Sequence, residues 1–260
     1  MIEISFLGSG SSGNCAVVRT ERTAVLLDAG LSMRETGRRL AVRGLALSAI
    51  SAVFVTHEHS DHARAALDFA ERLGVPVYAT AGTARAIDCP GPLFADVRPV
   101  ADGRRVAVGG GELEVNVTAT PHDGAESVCY VFQDGGGRRV GVATDLGHLS
   151  PAVLEALADC EVLGLEANHD VDLLREGPYP WSLKQRILSY TGHLSNEAAA
   201  ASLARLVGAR TRAVVALHVS RHNNTAALAE RTFSRALAEL GARVTLEVAP
   251  PFAPTEWVTA

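Results

Sequence analysis

The chain has only four cysteines, Cys15, Cys89, Cys129 and Cys160, and no two of them form a C-x-x-C pair. That scarcity and scatter exclude a disulfide framework and a thiolate zinc site. The four read instead as small buried apolar residues of a reducing compartment. An excess of positive charge is lacking too: 24 Lys and Arg stand against 29 Asp and Glu, a formal net charge of −5. Proteins that grip nucleic acid nonspecifically usually carry a basic footprint, and none marks this chain as a whole. No apolar run approaches the roughly 20 residues that a membrane-spanning helix needs, so no membrane partner is expected. The first residues, Met1–Leu7, read as a strand rather than as a basic and apolar leader, which points to a cytoplasmic protein. Linkers, low-complexity tracts and solenoid repeats are absent. With 260 residues and 47% apolar content, the chain can bury a large core as a single α/β domain over residues 1–260.

Against these absences one run stands out. Three of the nine histidines fall in His57-Glu58-His59-Ser60-Asp61-His62. The run follows Ala52–Thr56, which reads as a buried strand, and leads into a helix predicted over His62–Leu73. Residues two apart on an extended segment point the same way, so His57 and His59 can grip one ion. Asp61 and His62 sit at the turn into the helix and can face a second. Imidazole with carboxylate suits zinc, manganese or iron rather than calcium.

Further ligand types stand at strand exits. His122 follows the predicted strand Glu112–Thr120, Asp145 follows Arg138–Thr144, and His218 follows Ala213–Leu217. Sheets that place functional groups at strand ends leave the loops there free to vary. Taken with the histidine run, these residues make the inventory of a two-metal hydrolase.

The order of these motifs resembles the metallo-β-lactamase superfamily across almost the whole chain. Asp28, in Val25-Leu26-Leu27-Asp28-Ala29-Gly30, is similar to that family's first motif, a structural Asp beneath the site. His57 to His62 resemble the second, His122 the third, Asp145 the fourth and His218 the fifth. The resemblance implies an αββα four-layer sandwich, where the strand and helix pattern alone allows other α/β layers. It implies one ion on His57, His59, His122 and Asp145, and another on Asp61, His62, Asp145 and His218. An Asp rather than a Cys at the shared position resembles hydrolases of phosphodiesters and thioesters.

A closer similarity is to the YycJ/WalJ group, small bacterial exonucleases related to RNase J. It is carried by Gly8-Ser9-Gly10-Ser11-Ser12-Gly13-Asn14, Leu165-Glu166-Ala167-Asn168-His169-Asp170, Tyr179–Ile187, Gly192-His193-Leu194-Ser195-Asn196 and Leu217-His218-Val219-Ser220-Arg221-His222-Asn223-Asn224. Glu166, His193 and His218 resemble motifs A, B and C of RNase J. The interval between Glu166 and His193 is too short for a β-CASP cap. His222 stands where the group usually has Glu.

The resemblance implies a 5′→3′ exonuclease on DNA with a role in DNA repair, using two divalent ions, zinc or manganese, with iron also suited. A hydroxide held between the ions attacks phosphorus. Asp61 orients it, and His193, supported by Glu166, stabilises the phosphate or the leaving group. Substrate contacts are expected from Ser9, Ser11, Ser12 and Asn14, whose loop amides are free to approach an anion, and from His169, Lys184 and Asn223. Arg34, Arg38, Arg39 and Arg43 form i,i+4 pairs on one predicted helix, a basic stripe or a solvated face. The alternative is a small-molecule metallohydrolase acting on a cyclic phosphodiester, thioester or lactone, which fits the acidic balance.

Overall fold

The structure, a computed structural model, describes residues 1–87 and 96–260. Cys89 lies outside these residues. The described strands form two seven-stranded sheets. The first holds β1 (Glu3–Gly8), β2 (Cys15–Arg19), β3 (Ala24–Leu27), β4 (Ile50–Phe54), β5 (Val77–Thr80) and β6 (Val97–Val100). The second holds β7 (Arg105–Val108), β8 (Leu113–Ala119), β9 (Val128–Asp134), β10 (Arg139–Ala143), β11 (Val162–Glu166), β12 (Ala213–Leu217) and β13 (Thr245–Val248). The last strand, β14 (Val258–Thr259), returns to pair with β1 in the first sheet.

Both sheets follow one plan. β1, β2 and β3 pair antiparallel, and β3 to β6 pair parallel. β7 to β10 pair antiparallel, and β10 to β13 pair parallel. Sequence pattern explains the division. β8, LEVNVTA, alternates buried and half-exposed residues, as a strand with one wet face should. The parallel strands β11 and β12 are buried throughout, because helices cover the outer face.

Three apolar layers separate the four structural layers. Phe6, Val18, Phe54, Tyr130, Phe132, Val215 and Leu217 belong to the layer between the sheets. Helices α1 (Met33–Val42) and α3 (Ala66–Leu73) cover the first sheet, with Leu40 and Phe69 packed against Leu26 and Val53. Helices α5 (Pro151–Leu157), α8 (Asn196–Leu206) and α9 (Ala226–Glu239) cover the second, where Leu157, Leu203 and Phe233 meet Leu163 and Val214. Each such residue, fully buried, contributes roughly 1.5–3 kcal/mol. The order is αββα, as the family resemblance implies. Cys15, Cys129 and Cys160 lie in these layers, and burial pushes their thiols up to about 12, 12 and 11.

Two cross-sheet bonds decide where the histidine run starts. The Tyr130 hydroxyl donates to Val55 O at 2.9 Å, and Val128 N donates to Thr56 O at 3.0 Å. The chain therefore leaves β4 pinned to β9.

Some expectations are corrected. The helix predicted over His62–Leu73 is broken into α2 (Ser60–Ala63) and α3. The ladder fails because neighbours take its groups: Asn14 N donates to Asp61 O, Ala29 N to His62 O, and Ala65 N turns to Ala29 O. β6, β7, β14 and α6 (Val171–Glu176) escaped sequence reading because they are short and weakly patterned. The N-cap Asp170, which accepts from Asp172 N and Leu173 N, was the available signal for α6. On α1, Arg34 and Arg38 are exposed, but the four arginines do not make one basic stripe. Arg39 is buried and donates to Glu35, Leu7 O and Pro251 O, Arg38 pairs with Glu35, and Arg43 with Glu256. Among the described residues, no helix is long and apolar enough to cross a membrane.

Candidate metal centre

The functional side chains gather where parallel strands end. Asp28 follows β3, the histidine run follows β4, and Asp145, Glu166 and His218 stand at the ends of β10, β11 and β12. Three of them carry a backbone that side chains rarely adopt: Asp28, Asp145 and His218 have φ of 60°, 59° and 53°. Non-glycine residues held in this left-handed region cost about 1 kcal/mol or more each and concentrate at functional sites.

Two triads of donor atoms result. His57 Nε2 lies 3.1 Å from His59 Nδ1, which lies 3.3 Å from His122 Nε2. Asp61 Oδ2 lies 3.7 Å from both His62 Nε2 and His218 Nε2. Within each triad the donor atoms fall inside 4.8 Å of one another. Asp145 stands between them, with Oδ2 3.0 Å from His62 Nε2 and from His218 Nδ1, and Oδ1 3.9 Å from His122 Nε2.

The remaining ring nitrogens are committed to the protein. His62 Nδ1–H donates to Asp28 Oδ2 at 2.7 Å, and His122 Nδ1–H donates to Gly192 O at 3.2 Å. His57 Nδ1 meets Thr56 Oγ1 at 3.0 Å, and His59 Nε2 faces Asp123 Oδ1 at 3.6 Å. Partners of this kind fix ring orientation and tautomer in metal sites. Asp28 also accepts from Thr56 N and Oγ1, so it organises the start of the run as well as His62.

The donor set fits divalent metal. Asp28, Asp145 and Glu166 are buried and Asp61 partly so, yet among the described residues none pairs with Lys or Arg. Buried carboxylates without such partners call for metal or imidazolium. Burial holds His57 and His122 below their ordinary values, in the neutral form that ligates. For His62 burial opposes charge, but Asp145 and Asp28 outweigh it and raise its pKa. For Asp145 burial favours the neutral acid, but His218 and His62 hold it well below the ordinary carboxylate range.

Glu166 and His193 adjoin the triads. His193 Nδ1 lies 2.8 Å from Glu166 Oε1 and 3.4 Å from Asp145 Oδ1. The other oxygen of Glu166 accepts from Leu146 N at 2.8 Å and Leu194 N at 3.1 Å, the neighbours of Asp145 and His193. Burial works against a charge on His193, but Glu166 by charge and hydrogen bond, with Asp145, raises its pKa to about 9.

A cleft of about 370 Å³ opens onto this cluster, lined by His59, Asp61, Asp145, His193 and His218 among others. Of the seven residues expected to touch substrate, only Ser11 lines it. Ser9 Oγ accepts from His218 N at 2.7 Å. Asn14 Oδ1 accepts from Gly10 N, and its Nδ2 lies 3.3 Å from Asp61 Oδ2 and 2.8 Å from His62 Nε2. The amides of Gly10, Gly13 and Asn14 are bonded within the protein and so are not free to approach an anion. Ser12 is half-buried and does not line the cleft. Lys184, the chain's one lysine, is buried and donates to Arg175 O at 2.6 Å. His169 and Asn223 are buried, with no partner for their side-chain nitrogens or oxygen among the described residues. Burial brings His169 down to about 4, and so neutral. His222 is exposed, its ring 5.6 Å from that of Tyr179.

Sequence reading missed the residues that do line the cleft: Ser60, Asp123, Asn168, Tyr179, Arg186 and Ser220, with Leu183 and Ile187. The helical spacing of Leu183, Arg186 and Ile187 was the signal for part of this wall.

The comparisons with known proteins agree with this geometry. A beta-lactamase superfamily domain matches residues 23–219. Exodeoxyribonuclease YycJ of Bacillus anthracis is 35% identical over 244 residues, covering 92% of this chain and 90% of that protein. Exodeoxyribonuclease WalJ of Streptococcus pneumoniae is 34% identical over 249 residues, covering 94% and 92%. The crystal structure of YhfI from Bacillus subtilis, a metallo-beta-lactamase fold protein, superposes with a TM-score of 0.70 over 98% of both chains at 13% identity, which speaks for the fold alone. Strand order, donor triads and these matches together place the chain in the metallo-β-lactamase superfamily, as a metal-dependent hydrolase.

Proposed function

We propose that this protein is a dinuclear phosphodiesterase that degrades DNA from the 5′ end, acts in the cytoplasm and uses residues 1–260 as one domain. The observation that carries the reading is the Glu166–His193 pair set against Asp145. Breaking a phosphodiester requires a proton for the departing alkoxide, and His193, its Nδ1 held 2.8 Å from Glu166 Oε1, is placed to supply one. The named activity of the two relatives, which align over nine-tenths of both chains, supports DNA as substrate.

His57, His59 and His122 would hold one divalent ion and Asp61, His62 and His218 another, with Asp145 shared. Zinc and manganese suit these donors, and iron also. Bound there, the ions supply Lewis acidity toward phosphoryl oxygens and make a water more acidic. Asp61, which lines the cleft and is partly exposed, orients the attacking water through its second carboxylate oxygen. His193 commits Nδ1 to Glu166, which leaves Nε2 to give its proton to the leaving oxygen. Glu166, held by two backbone amides, fixes that tautomer.

The test is digestion of end-labelled, 5′-phosphorylated single-stranded and duplex DNA by protein resupplied with Mn²⁺ or Zn²⁺. Nucleotides should appear progressively from the 5′ end. Asp145→Ala should abolish this together with metal binding. His193→Ala should keep both ions and lose about 10²–10⁴-fold in rate. Metal-loaded protein that leaves DNA intact but opens cyclic phosphodiesters, thioesters or lactones would replace the nuclease reading with the small-molecule one.

A further inference from the structure

The cleft has one wall that the chemistry above does not use. It is the inward face of α7 (Trp181–Ile187) together with Tyr179 just before it. Leu183, Arg186 and Ile187 line the cleft at the spacing that puts residues on one side of a helix, and Tyr179 lines it from the extended segment before α7. Among the described residues lining the cleft, Arg186 is the only Lys or Arg and Tyr179 the only Phe, Tyr or Trp. Three carboxylates, Asp61, Asp123 and Asp145, share that lining, so Arg186 is the one fixed protein cation facing a polyanion there.

Both side chains are placed before any substrate arrives. Asp123 accepts from Arg186 Nε and stands 3.4 Å from His122 Nε2, which tethers the guanidinium at the edge of the donor cluster. Arg186 remains 58% exposed and can turn its fork to a second anion. The ring of Tyr179 is half-buried beside His222. The wall is also locked to the catalytic histidine. His193 N donates to Ile187 O at 2.9 Å, and a Cβ on Gly192 would fall 2.2 Å from that oxygen. Buried Lys184 ties the helix to the last turn of α6, where it donates to Arg175 O.

We infer that this wall reads single-stranded DNA next to the scissile bond, with Arg186 taking a neighbouring phosphate and Tyr179 stacking on an unpaired base. The inference rests on the nuclease reading and names which form of DNA that site accepts. A cation and an aromatic ring on one wall are the two elements by which proteins hold single strands without reading sequence. Bases inside a duplex already have both faces stacked on their neighbours, so a ring beside the strand next to the scissile bond favours a single-stranded or frayed 5′ end over a blunt duplex.

The experiment is fluorescence anisotropy of the metal-loaded protein with a 5′-phosphorylated oligonucleotide whose phosphorothioate linkages resist cleavage, across a salt series. Parallel digestion assays use ordinary single-stranded and blunt duplex DNA. Arg186→Gln should raise Kd about ten-fold and reduce the slope of log K against log salt by roughly 0.7, one phosphate's worth. Tyr179→Ala should raise Kd about ten-fold with the slope unaltered, and should narrow the preference for single strands in digestion. Tyr179→Phe, which keeps the ring, should recover what Tyr179→Ala loses. Wild-type Kd and slope in Arg186→Gln, or equal losses in Tyr179→Phe and Tyr179→Ala, overturn the wall while wild-type digestion leaves the nuclease reading standing. Loaded protein that neither binds nor cuts DNA overturns both.

Discussion

The two halves of the molecule repeat one sheet plan but build their share of the site in opposite ways. The first half delivers His57, His59, Asp61 and His62 from a single run after β4 and braces them with Asp28 from the neighbouring strand. The second half delivers His122, Asp145, Glu166 and His218 one at a time, from the ends of separate strands. In the first half the backbone does the positioning: Asn14 N, Ala29 N and Ala29 O take up groups that a continuous helix would have used. In the second half, register and left-handed φ angles at Asp145 and His218 do it. A contiguous device should fail as a unit, and a dispersed one ligand by ligand.

The largest effect should come from Gly30→Ala. A Cβ there would fall 1.7 Å from Asp61 O, so Asp61 and His62 must move together. We expect a loss on the order of 3 kcal/mol in urea unfolding, with one ion missing by metal analysis. Full metal content would break the idea of a shared backbone brace. Next comes Asp28→Asn, which accepts the same φ but removes the charge facing His62 Nδ1. Affinity for the ion on Asp61, His62 and His218 should fall about 10–100-fold in a competition titration, and the ion on His57, His59 and His122 should weaken with it, because Asp28 also holds Thr56 beside His57.

In the second half, Ser9→Ala removes the acceptor of a buried His218 amide and should cost about 1–3 kcal/mol. Its effect should reach His218 but leave His122 binding intact, as a dispersed design requires. In the metal-free protein, His193 should titrate near 9 by NMR. Its folded value is raised, so the stability it lends is full below the ordinary 6.5 and fades as pH rises through about 9. Glu166→Gln should bring the titration down. An unmoved midpoint would assign the shift to Asp145 instead. The smallest effect belongs to Arg38→Ala, remote from both devices. Its exposed pair with Glu35 should leave the thermal midpoint almost unmoved.

The same contrast explains what the sequence disclosed. The run from His57 to His62 is local, so its spacing announced both the chemistry and the strand before it. His122, Asp145 and His218 are single residues whose meaning depends on which strands are neighbours, and they became legible through the family resemblance. Fold class followed from strands that are long or strongly apolar, such as β8 and β12. β6 and β7, four residues each, carried too little pattern. For the expected substrate contacts, polarity alone does not reveal direction. Ser9 and Asn14 look like anion binders until the structure shows their groups spent on His218 N, Gly10 N and Asp61. Arg186 sat two residues from Lys184, but only the cleft geometry distinguishes the cation facing the cleft from the buried one.

Each donor triad mixes the halves. His57 and His59 come from the first and His122 from the second, while Asp61 and His62 come from the first and His218 from the second. An ion held by either triad is therefore a reversible crosslink between two sheets that are otherwise joined by apolar packing and by hydrogen bonds such as Tyr130 to Val55 O. Free ion at a hundred times its Kd adds about 2.7 kcal/mol to the folded state. Chelation should loosen the seam between the sheets before it loosens either sheet. Metal supply then sets the protein's lifetime as well as its turnover.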